Sequence, residues 1–298
     1  MLINKNKRIE RKDRMKNIIL IISLLFTNFI FAQLPSSKIP ISISSSVMSN
    51  VSTTKSTTTV IVSTTMVVSP NVSSSAQTEI VVSTTGDQWF DHYHNRIAYF
   101  KKENIEIDIK SNKEQKWAKQ IVLLGDSLTE GFNIKKFFPD LPVVNRGIVS
   151  DHTVWGGTKY EGMGVLYRIT PLLLAPNPSH IFLLIGTNDV GGSLDVCEKN
   201  YREILKMLKE NFPEAKVVIQ TLPPTRGRYA RLNDAIREFN ERLKNLAKEF
   251  KLDLIDLHSL FVDENGELKE NFTRDGLHLT EPAYEIWKTE IEKVLKMK

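Results

Sequence analysis

Short apolar runs alternate with segments of helical periodicity from residue 120 to the end of this chain. The runs are nearly continuous in Ile, Val and Leu, which is typical of parallel strands covered on both faces. They span residues 120–124, 143–145, 180–185, 216–221 and 252–257. Strands that alternate with helices in this way predict a doubly wound α/β domain built on a five-stranded parallel sheet.

The segments between the runs have the spacing of amphipathic helices. Apolar residues recur every three or four positions over 196–212 and 229–250, which places them on one helix face. A last helix is predicted to open at Thr280, with Pro282 in its first turn. Aromatic residues at helical spacing over 89–100 predict a further helix ahead of the first strand.

The first 86 residues do not fit this pattern. A basic start, an apolar run over 18–31 and a final Ala32 predict a secretory signal peptide over 1–32. The apolar run is shorter than the ~20 residues that span a bilayer, so an uncleaved anchor is the weaker interpretation. Residues 33–86 are rich in Ser and Thr and predict a disordered linker, with strands at its Val-rich stretches as the alternative. A globular domain is expected over 87–298, outside the cytoplasm: secreted, periplasmic or at the cell surface.

The basic leader accounts for the net charge of +5. Its first 17 residues contain seven basic and two acidic side chains, so the rest of the chain is formally neutral. A neutral domain gives no reason to expect a nucleic-acid partner. The single cysteine, Cys197, excludes an intrachain disulfide.

Doubly wound sheets bind ligands beyond the carboxyl ends of their strands, so the residues that follow each run are candidates for chemistry. Gly125-Asp126-Ser127-Leu128 follows the first run and predicts a serine on a tight turn into a helix. Its hydroxyl would be exposed and its amide would be free to stabilise an oxyanion. Thr129 stands where a Gly-x-Ser-x-Gly elbow has its second glycine, which disfavours that other hydrolase motif.

Two further motifs follow the second and third runs. Asn145-Arg146-Gly147 ends in a glycine whose backbone can approach a ligand and offer its amide. Gly186-Thr187-Asn188-Asp189 contains an amide side chain that stays neutral at any pH, which suits an oxyanion hole. Each motif alone is equally typical of a turn or a helix cap.

Asp275-Gly276-Leu277-His278 lies near the C-terminus. The three-residue spacing lets the aspartate accept from one imidazole nitrogen while the other nitrogen faces a serine. A metal-ligand fragment is the alternative, but no second cluster of His and Cys in the sequence supplies the remaining ligands, so we expect no metal. The four motifs, in this order and at these places, have no single structural explanation.

These motifs make residues 120–295 similar to the SGNH, or GDSL, hydrolase family. The resemblance implies a flavodoxin-like three-layer αβα sandwich and a reaction that needs no cofactor. It implies that Ser127 is the nucleophile, that His278 is the base that activates it, and that Asp275 orients His278.

The same resemblance implies an oxyanion hole formed by the amides of Ser127 and Gly147 and by the side chain of Asn188. Donors placed in this way stabilise the tetrahedral intermediate of ester hydrolysis. Because His278 must be neutral to accept the serine proton, we expect activity to fall at acidic pH.

The sequence thus favours a secreted serine carboxylic-ester hydrolase that removes short acyl groups, acetyl above all, from a small-molecule or carbohydrate ester. A lysophospholipase or other lipid acylhydrolase is the enzymatic alternative, although the sequence shows no apolar lid. An inactive surface-binding module on a stalk is the third hypothesis, and the intact site residues argue against it. Membrane contact is expected only if the leader is retained as an anchor. Trp155 and Tyr160 are candidate substrate contacts, whereas His152 has no carboxylate at a convincing spacing.

Overall fold

In the computed structural model of the protein, residues 85–114 and 118–296 are described, with the backbone alone at 112–114. The predicted signal peptide, 1–32, and nearly all of the predicted linker, 33–86, lie outside these residues. Within the described part of the chain, no helix combines the length and the apolar character that a bilayer crossing requires.

One sheet of five parallel strands runs through the domain. The strands are β1 (Gln120–Gly125), β2 (Val143–Gly147), β3 (Pro178–Leu184), β4 (Lys216–Gln220) and β5 (Asp253–Ile255). Their order across the sheet is β2-β1-β3-β4-β5, which is the flavodoxin-like order. The predicted fold class is therefore confirmed. The chain reverses its direction of winding between β1 and β3, so a ligand site is expected at the carboxyl ends of these two strands.

The long helices fall where the periodicity predicts them, whereas it does not predict the short helices Ile134–Phe137 and Leu257–Phe261, the second of which begins at the last residue of the predicted run 252–257. The helices are α1 (Gln88–Glu114), α2 (Ser127–Glu130), α3 (Ile134–Phe137), α4 (Leu194–Asn211), α5 (Asn233–Phe250), α6 (Leu257–Phe261) and α7 (Glu281–Lys296). Two boundaries differ from the prediction. Helix α1 continues well past residue 100, and the apolar positions before Asn233 belong to a 3-10 helix, Gly227–Leu232, that precedes α5.

Both faces of the sheet are covered. Every residue of β1 is buried, and so are Ile181, Phe182, Leu183 and Leu184 of β3. Because successive side chains of a strand point to opposite faces, continuous burial requires packed layers on each side of the sheet. Each buried aliphatic or aromatic side chain of this size contributes about 1.5–3 kcal/mol relative to exposure.

Helix α1 packs against the segment that follows β2. Tyr93 and Phe100 form a small cluster with Ile148 and Met163, separate from the main core. The Tyr93 hydroxyl also lies 3.3 Å from the carbonyl oxygen of Gly164. The helix ahead of β1 is therefore part of the domain and contacts the loop that borders the carboxyl ends of the strands.

Candidate active site

Ser127 lies at the start of α2, directly beyond the carboxyl end of β1. The Oδ1 atom of Asp126 accepts a hydrogen bond from the amide of Leu128 at 3.0 Å and so caps the helix at Ser127. Gly125 lets the end of β1 lie close to β3, since a Cβ there would lie 2.1 Å from the carbonyl oxygen of Leu184. Among the described residues, no group accepts from the Ser127 amide.

The loop before α7 bends sharply at Gly276, where φ is +91°. A side chain is excluded there because a Cβ would lie 2.3 Å from the carbonyl oxygen of Arg226. The Oδ1 atom of Asp275 accepts from the amides of Leu277 and His278 at 2.9 and 2.8 Å. These bonds fix the aspartate inside the bend, so its second oxygen has a defined direction.

The bend brings His278 between Asp275 and Ser127. The Nδ1 atom of His278 lies 2.7 Å from Oδ2 of Asp275, and its Nε2 atom lies 3.2 Å from Oγ of Ser127. A carboxylate at Nδ1 holds the proton on that nitrogen, which leaves the lone pair of Nε2 directed at the serine hydroxyl. Residues that are 151 positions apart in sequence are thus joined by hydrogen bonds.

The charge of Asp275 is strongly stabilised. Burial acts to raise the pKa of this carboxyl, but the His278 ring and the amides of Leu277 and His278 donate to it and lower the pKa to about 2. Asp275 is therefore ionised throughout the neutral range and can stabilise a proton that arrives on His278.

Asn188 follows β3 on a tight turn, in which the amide of Asp189 donates to the carbonyl oxygen of Gly186 at 2.9 Å. The Nδ2 atom of Asn188 donates one hydrogen to the carbonyl oxygen of Asp151 at 2.8 Å. A primary amide carries two hydrogens on this nitrogen, so one donor is left over. The first bond orients the amide and leaves that second hydrogen as a candidate for the oxyanion hole.

Gly147 does not have the environment that the sequence predicts for an oxyanion donor. Its amide already donates to Oδ1 of Asn145 at 2.8 Å. A glycine is needed here for a different reason, because a Cβ would lie 2.1 Å from the backbone nitrogen of Glu130. The close approach is to helix α2 and not to a ligand, so the assignment of the Gly147 amide is corrected.

A residue that the sequence analysis missed lies three positions further on. The amide of Asp151 donates to the carbonyl oxygen of Ile148 at 3.1 Å, which closes a turn. Ser150 has φ of +60° in this turn, a conformation that glycine adopts far more readily than serine. Among the described residues, nothing accepts from the Ser150 amide. No sequence signal marks this position, because serine is not a residue that predicts a left-handed conformation.

The turn is held in place from both sides. The carboxylate of Glu130, on α2, accepts from the amide of Val149 at 2.6 Å and lies 3.0 Å from Nε2 of His92. Arg96 of α1 donates through Nη2 to the carbonyl oxygen of Gly147 at 2.9 Å. Together with the bond from Asn188 to Asp151, these contacts place Ser150 between helix α2 and the loop of Asn188.

Buried carboxyl groups lie beneath the site. Asp126 is fully buried, and its Oδ2 atom has no hydrogen-bond partner among the residues that the structure describes. Burial raises the pKa of Asp126, and the charges of Asp151 and Asp189 add to this effect, so that the pKa reaches about 7. Asp151 is paired with Arg168, whose Nε atom donates to it at 2.9 Å. The residue that precedes the serine is therefore held in an environment that disfavours negative charge.

His152 also differs from the sequence prediction. Its Nδ1 atom lies 3.7 Å from Oδ1 of Asp189, so it does have a carboxylate beside it. Burial acts to lower the pKa of His152, but the neighbouring Asp189, Asp151 and Asp126 outweigh it and raise the pKa. The predicted contact Trp155 stacks edge-on against His152, at 4.9 Å between ring centroids, and packs on Tyr160 at 4.6 Å.

A parallel α/β sheet with Ser, His and Asp joined by hydrogen bonds at its carboxyl edge defines the class of this protein. Residues 123–286 match the model of the GDSL-like lipase/acylhydrolase family. The chain belongs to this family, as its four motifs predict. Membership implies an enzyme that hydrolyses esters.

Individual relatives are similar at modest identity. An N-acylneuraminate cytidylyltransferase from Escherichia coli O18:K1:H7 is 28% identical over 210 residues, which cover 70% of this chain and 45% of that protein. The chain thus matches less than half the length of this relative. A platelet-activating factor acetylhydrolase IB subunit alpha1 from Pongo abelii is 26% identical over 217 residues, covering 68% of this chain and 81% of that one.

The fold is also seen in solved structures. A GDSL-like lipase from Bacteroides thetaiotaomicron superimposes with a TM-score of 0.53 at 23% sequence identity. The superposition covers 66% of this chain and 97% of that protein. This likeness concerns the architecture alone.

Proposed function

We propose that this protein is a serine carboxylic-ester hydrolase in which Ser127 is the nucleophile and His278 the general base. The observation that carries the proposal is the unbroken contact from Asp275 through the His278 ring to the Ser127 hydroxyl, at 2.7 and 3.2 Å. A serine hydroxyl is a weak nucleophile until a base within hydrogen-bond reach removes its proton.

In the first half of the reaction, Oγ of Ser127 attacks the ester carbonyl carbon while its proton moves to Nε2 of His278. The ionised carboxylate of Asp275 stabilises the imidazolium that forms. The tetrahedral intermediate collapses when His278 returns the proton to the leaving alcohol oxygen, and the acyl group stays on Ser127. In the second half, His278 takes a proton from water, the water oxygen attacks the acyl carbon, and Ser127 leaves with its proton restored as the carboxylic acid departs.

The oxyanion of each intermediate is assigned to the amides of Ser127 and Ser150 and to the second Nδ2 hydrogen of Asn188. The Ser127 and Ser150 amides lack acceptors among the described residues, and donors held in this way need no reorganisation as charge develops. Ser150 takes the role first predicted for Gly147, whose amide is occupied by Asn145.

We propose a short acyl group, acetyl above all, on a small-molecule or carbohydrate alcohol. The side chains of His278 and Asp275 are 50% and 42% exposed, so the site opens directly to solvent and suits a polar alcohol. Two relatives are consistent with this choice, since one is named an acetylhydrolase and the other acts, by its name, on an N-acylated sugar acid.

We also propose that the enzyme acts outside the cytoplasm, as the basic and apolar leader over 1–32 indicates. Its substrate is then an extracellular or periplasmic ester. Neither a nucleic acid nor a cofactor has a part in this mechanism, and membrane contact requires that the leader be retained.

The test is the rate of p-nitrophenol release from acetyl, butyryl and octanoyl esters by the full chain, with Ser127→Ala as the matched control. We expect turnover that is fastest with acetyl and absent in the variant. A preference for octanoyl would favour the lipid acylhydrolase. No turnover of any ester, or turnover that survives Ser127→Ala, would contradict the proposed function.

A further inference from the structure

The segment between β4 and α5 borders two loops of the site. The amide of Arg226 donates to the carbonyl oxygen of Gly276 at 2.8 Å, and a Cβ on Gly276 would lie 3.6 Å from the Tyr229 ring. At the other end of the segment, a Cβ on Gly191 would lie 4.0 Å from the Leu232 side chain. The 3-10 helix Gly227–Leu232 therefore extends from the His278 bend to the loop of Asn188 and forms one wall of the site.

This wall presents positive charge that is not paired with any carboxylate in the described part of the chain. Arg228 and Arg231 are exposed on the 3-10 helix, and the exposed Arg274 directly precedes Asp275. None of the three has a carboxylate partner among the described residues. Every other arginine in the described part of the chain lies within 4.0 Å of an Asp or Glu oxygen. Among the described residues, the arginines without a carboxylate partner thus lie only on the 3-10 helix and directly before the catalytic bend.

Arg228, which has no carboxylate partner among the described residues, is held in a defined position by Tyr229. Its guanidinium lies 4.7 Å from the centre of the Tyr229 ring and donates to the Tyr229 hydroxyl at 2.8 Å. Neither contact removes its charge, and the Tyr229 ring in turn packs against Gly276. A guanidinium group held by a ring keeps a planar set of donors that matches a carboxylate or a phosphate.

We infer that Arg228, Arg231 and Arg274 form a subsite for an anionic group, a carboxylate or a phosphate, on the alcohol part of the substrate. The inference rests on the proposed ester hydrolysis and narrows its substrate class. An acetyl group contains no ionisable group, so the anionic group must belong to the alcohol part of the ester. The natural substrate is then an acetyl ester of an acidic sugar or of a phosphorylated alcohol.

Two pairs of esters that differ only in charge test this subsite in the full chain. The first pair is O-acetylated glucuronic acid and O-acetylated glucuronamide; the second is acetylated glycerol phosphate and acetylated glycerol. Acetate release gives kcat/KM for each, and the ratio of charged to neutral ester is compared between proteins. We expect a ratio of about 10 or more in one pair, a fall toward 1 in the Arg228→Gln/Arg231→Gln/Arg274→Gln variant, and an intermediate value in Arg228→Gln alone.

Lys209→Gln is the matched control, because it removes one exposed charge from the last turn of α4, at the opposite edge of the sheet. It should keep the wild-type ratio. A preference limited to the sugar pair identifies a carboxylate ligand, and one limited to the glycerol pair identifies a phosphate; both support the subsite. Equal rates within both pairs, a preference that survives the triple substitution, or turnover of p-nitrophenyl acetate with neither pair hydrolysed would overturn it. Absence of turnover on p-nitrophenyl acetate as well would instead overturn the proposed hydrolase.

Discussion

The Nδ1 atom of His278 lies 2.7 Å from Oδ2 of Asp275, while the other oxygen of this carboxylate binds the amides of Leu277 and His278. The aspartate therefore fixes both the backbone bend and the orientation of the ring. Because the same carboxylate has a pKa of about 2, its charge is present at every pH at which the histidine can act as a base.

Replacing His278 should reduce turnover more than replacing Asp275. His278→Ala removes the base itself, whereas Asp275→Asn keeps the amide-capped bend and loses only the charge and the preferred tautomer. We expect Asp275→Asn to retain about a hundredfold more kcat than His278→Ala, measured with p-nitrophenyl acetate. Equal losses of kcat would contradict this expectation, because they would mean that His278 does not act as a base without the charge of Asp275.

Asn188 should contribute to the transition state and not to substrate binding. Asn188→Ala removes the Nδ2 donor and is expected to lower kcat by about 10²–10³-fold with little change in KM. Asn211→Ala, at the exposed end of α4, is the control and should leave both constants unchanged. A raised KM with an unchanged kcat would mean that Asn188 binds the substrate and does not stabilise the oxyanion.

Gly147 should matter for stability. A methyl group at this position would lie 2.1 Å from the backbone nitrogen of Glu130, so Gly147→Ala must push α2 away from β2. We expect a loss of about 1–3 kcal/mol in the free energy of unfolding, measured by urea denaturation. Gly156→Ala is the matched control, since a Cβ there meets no atom of the described residues within 4 Å. Equal stability of the two variants would contradict the packing argument.

Asp126 should make stability depend on pH. In the unfolded chain its pKa is about 3.9, whereas burial raises it to about 7 in the folded protein. Between these values the folded state holds a proton that the unfolded state has released, so the contribution of Asp126 to stability falls as the pH rises. The slope reaches at most about 1.4 kcal/mol per pH unit for one proton.

Asp126→Asn removes this titration and keeps an oxygen that can cap Leu128. The unfolding free energy of the variant minus that of the wild type should therefore increase from pH 4.5 to pH 7 in urea titrations. A difference that stays constant over this range would show that Asp126 does not titrate there.

Local pattern was enough to predict the architecture. The apolar runs correspond to β1 through β5, because strands that are covered on both faces have nearly continuous apolar sequences. The bend at Gly276 is also predictable from local sequence, because only glycine readily adopts the positive φ that a sharp bend between Asp275 and His278 requires.

The details of the oxyanion hole were not predictable, because they depend on contacts between distant segments. The motif predicts a ligand role for the Gly147 amide, but this amide donates to Asn145, and the absence of a side chain at Gly147 makes room for α2. Ser150 was missed because its left-handed conformation is imposed by the turn that Glu130 and Asn188 hold. The same holds for His152, whose carboxylate partner lies on another loop.

Covalent labelling can show whether His278 activates Ser127. A fluorophosphonate reacts when an activated serine oxygen displaces fluoride, and mass spectrometry of the digested protein then locates the label. We expect a single rapid modification, on Ser127, that is lost in Ser127→Ala and slowed by several orders of magnitude in His278→Ala. A label on another residue, or a Ser127 label that forms equally fast without His278, would contradict this expectation.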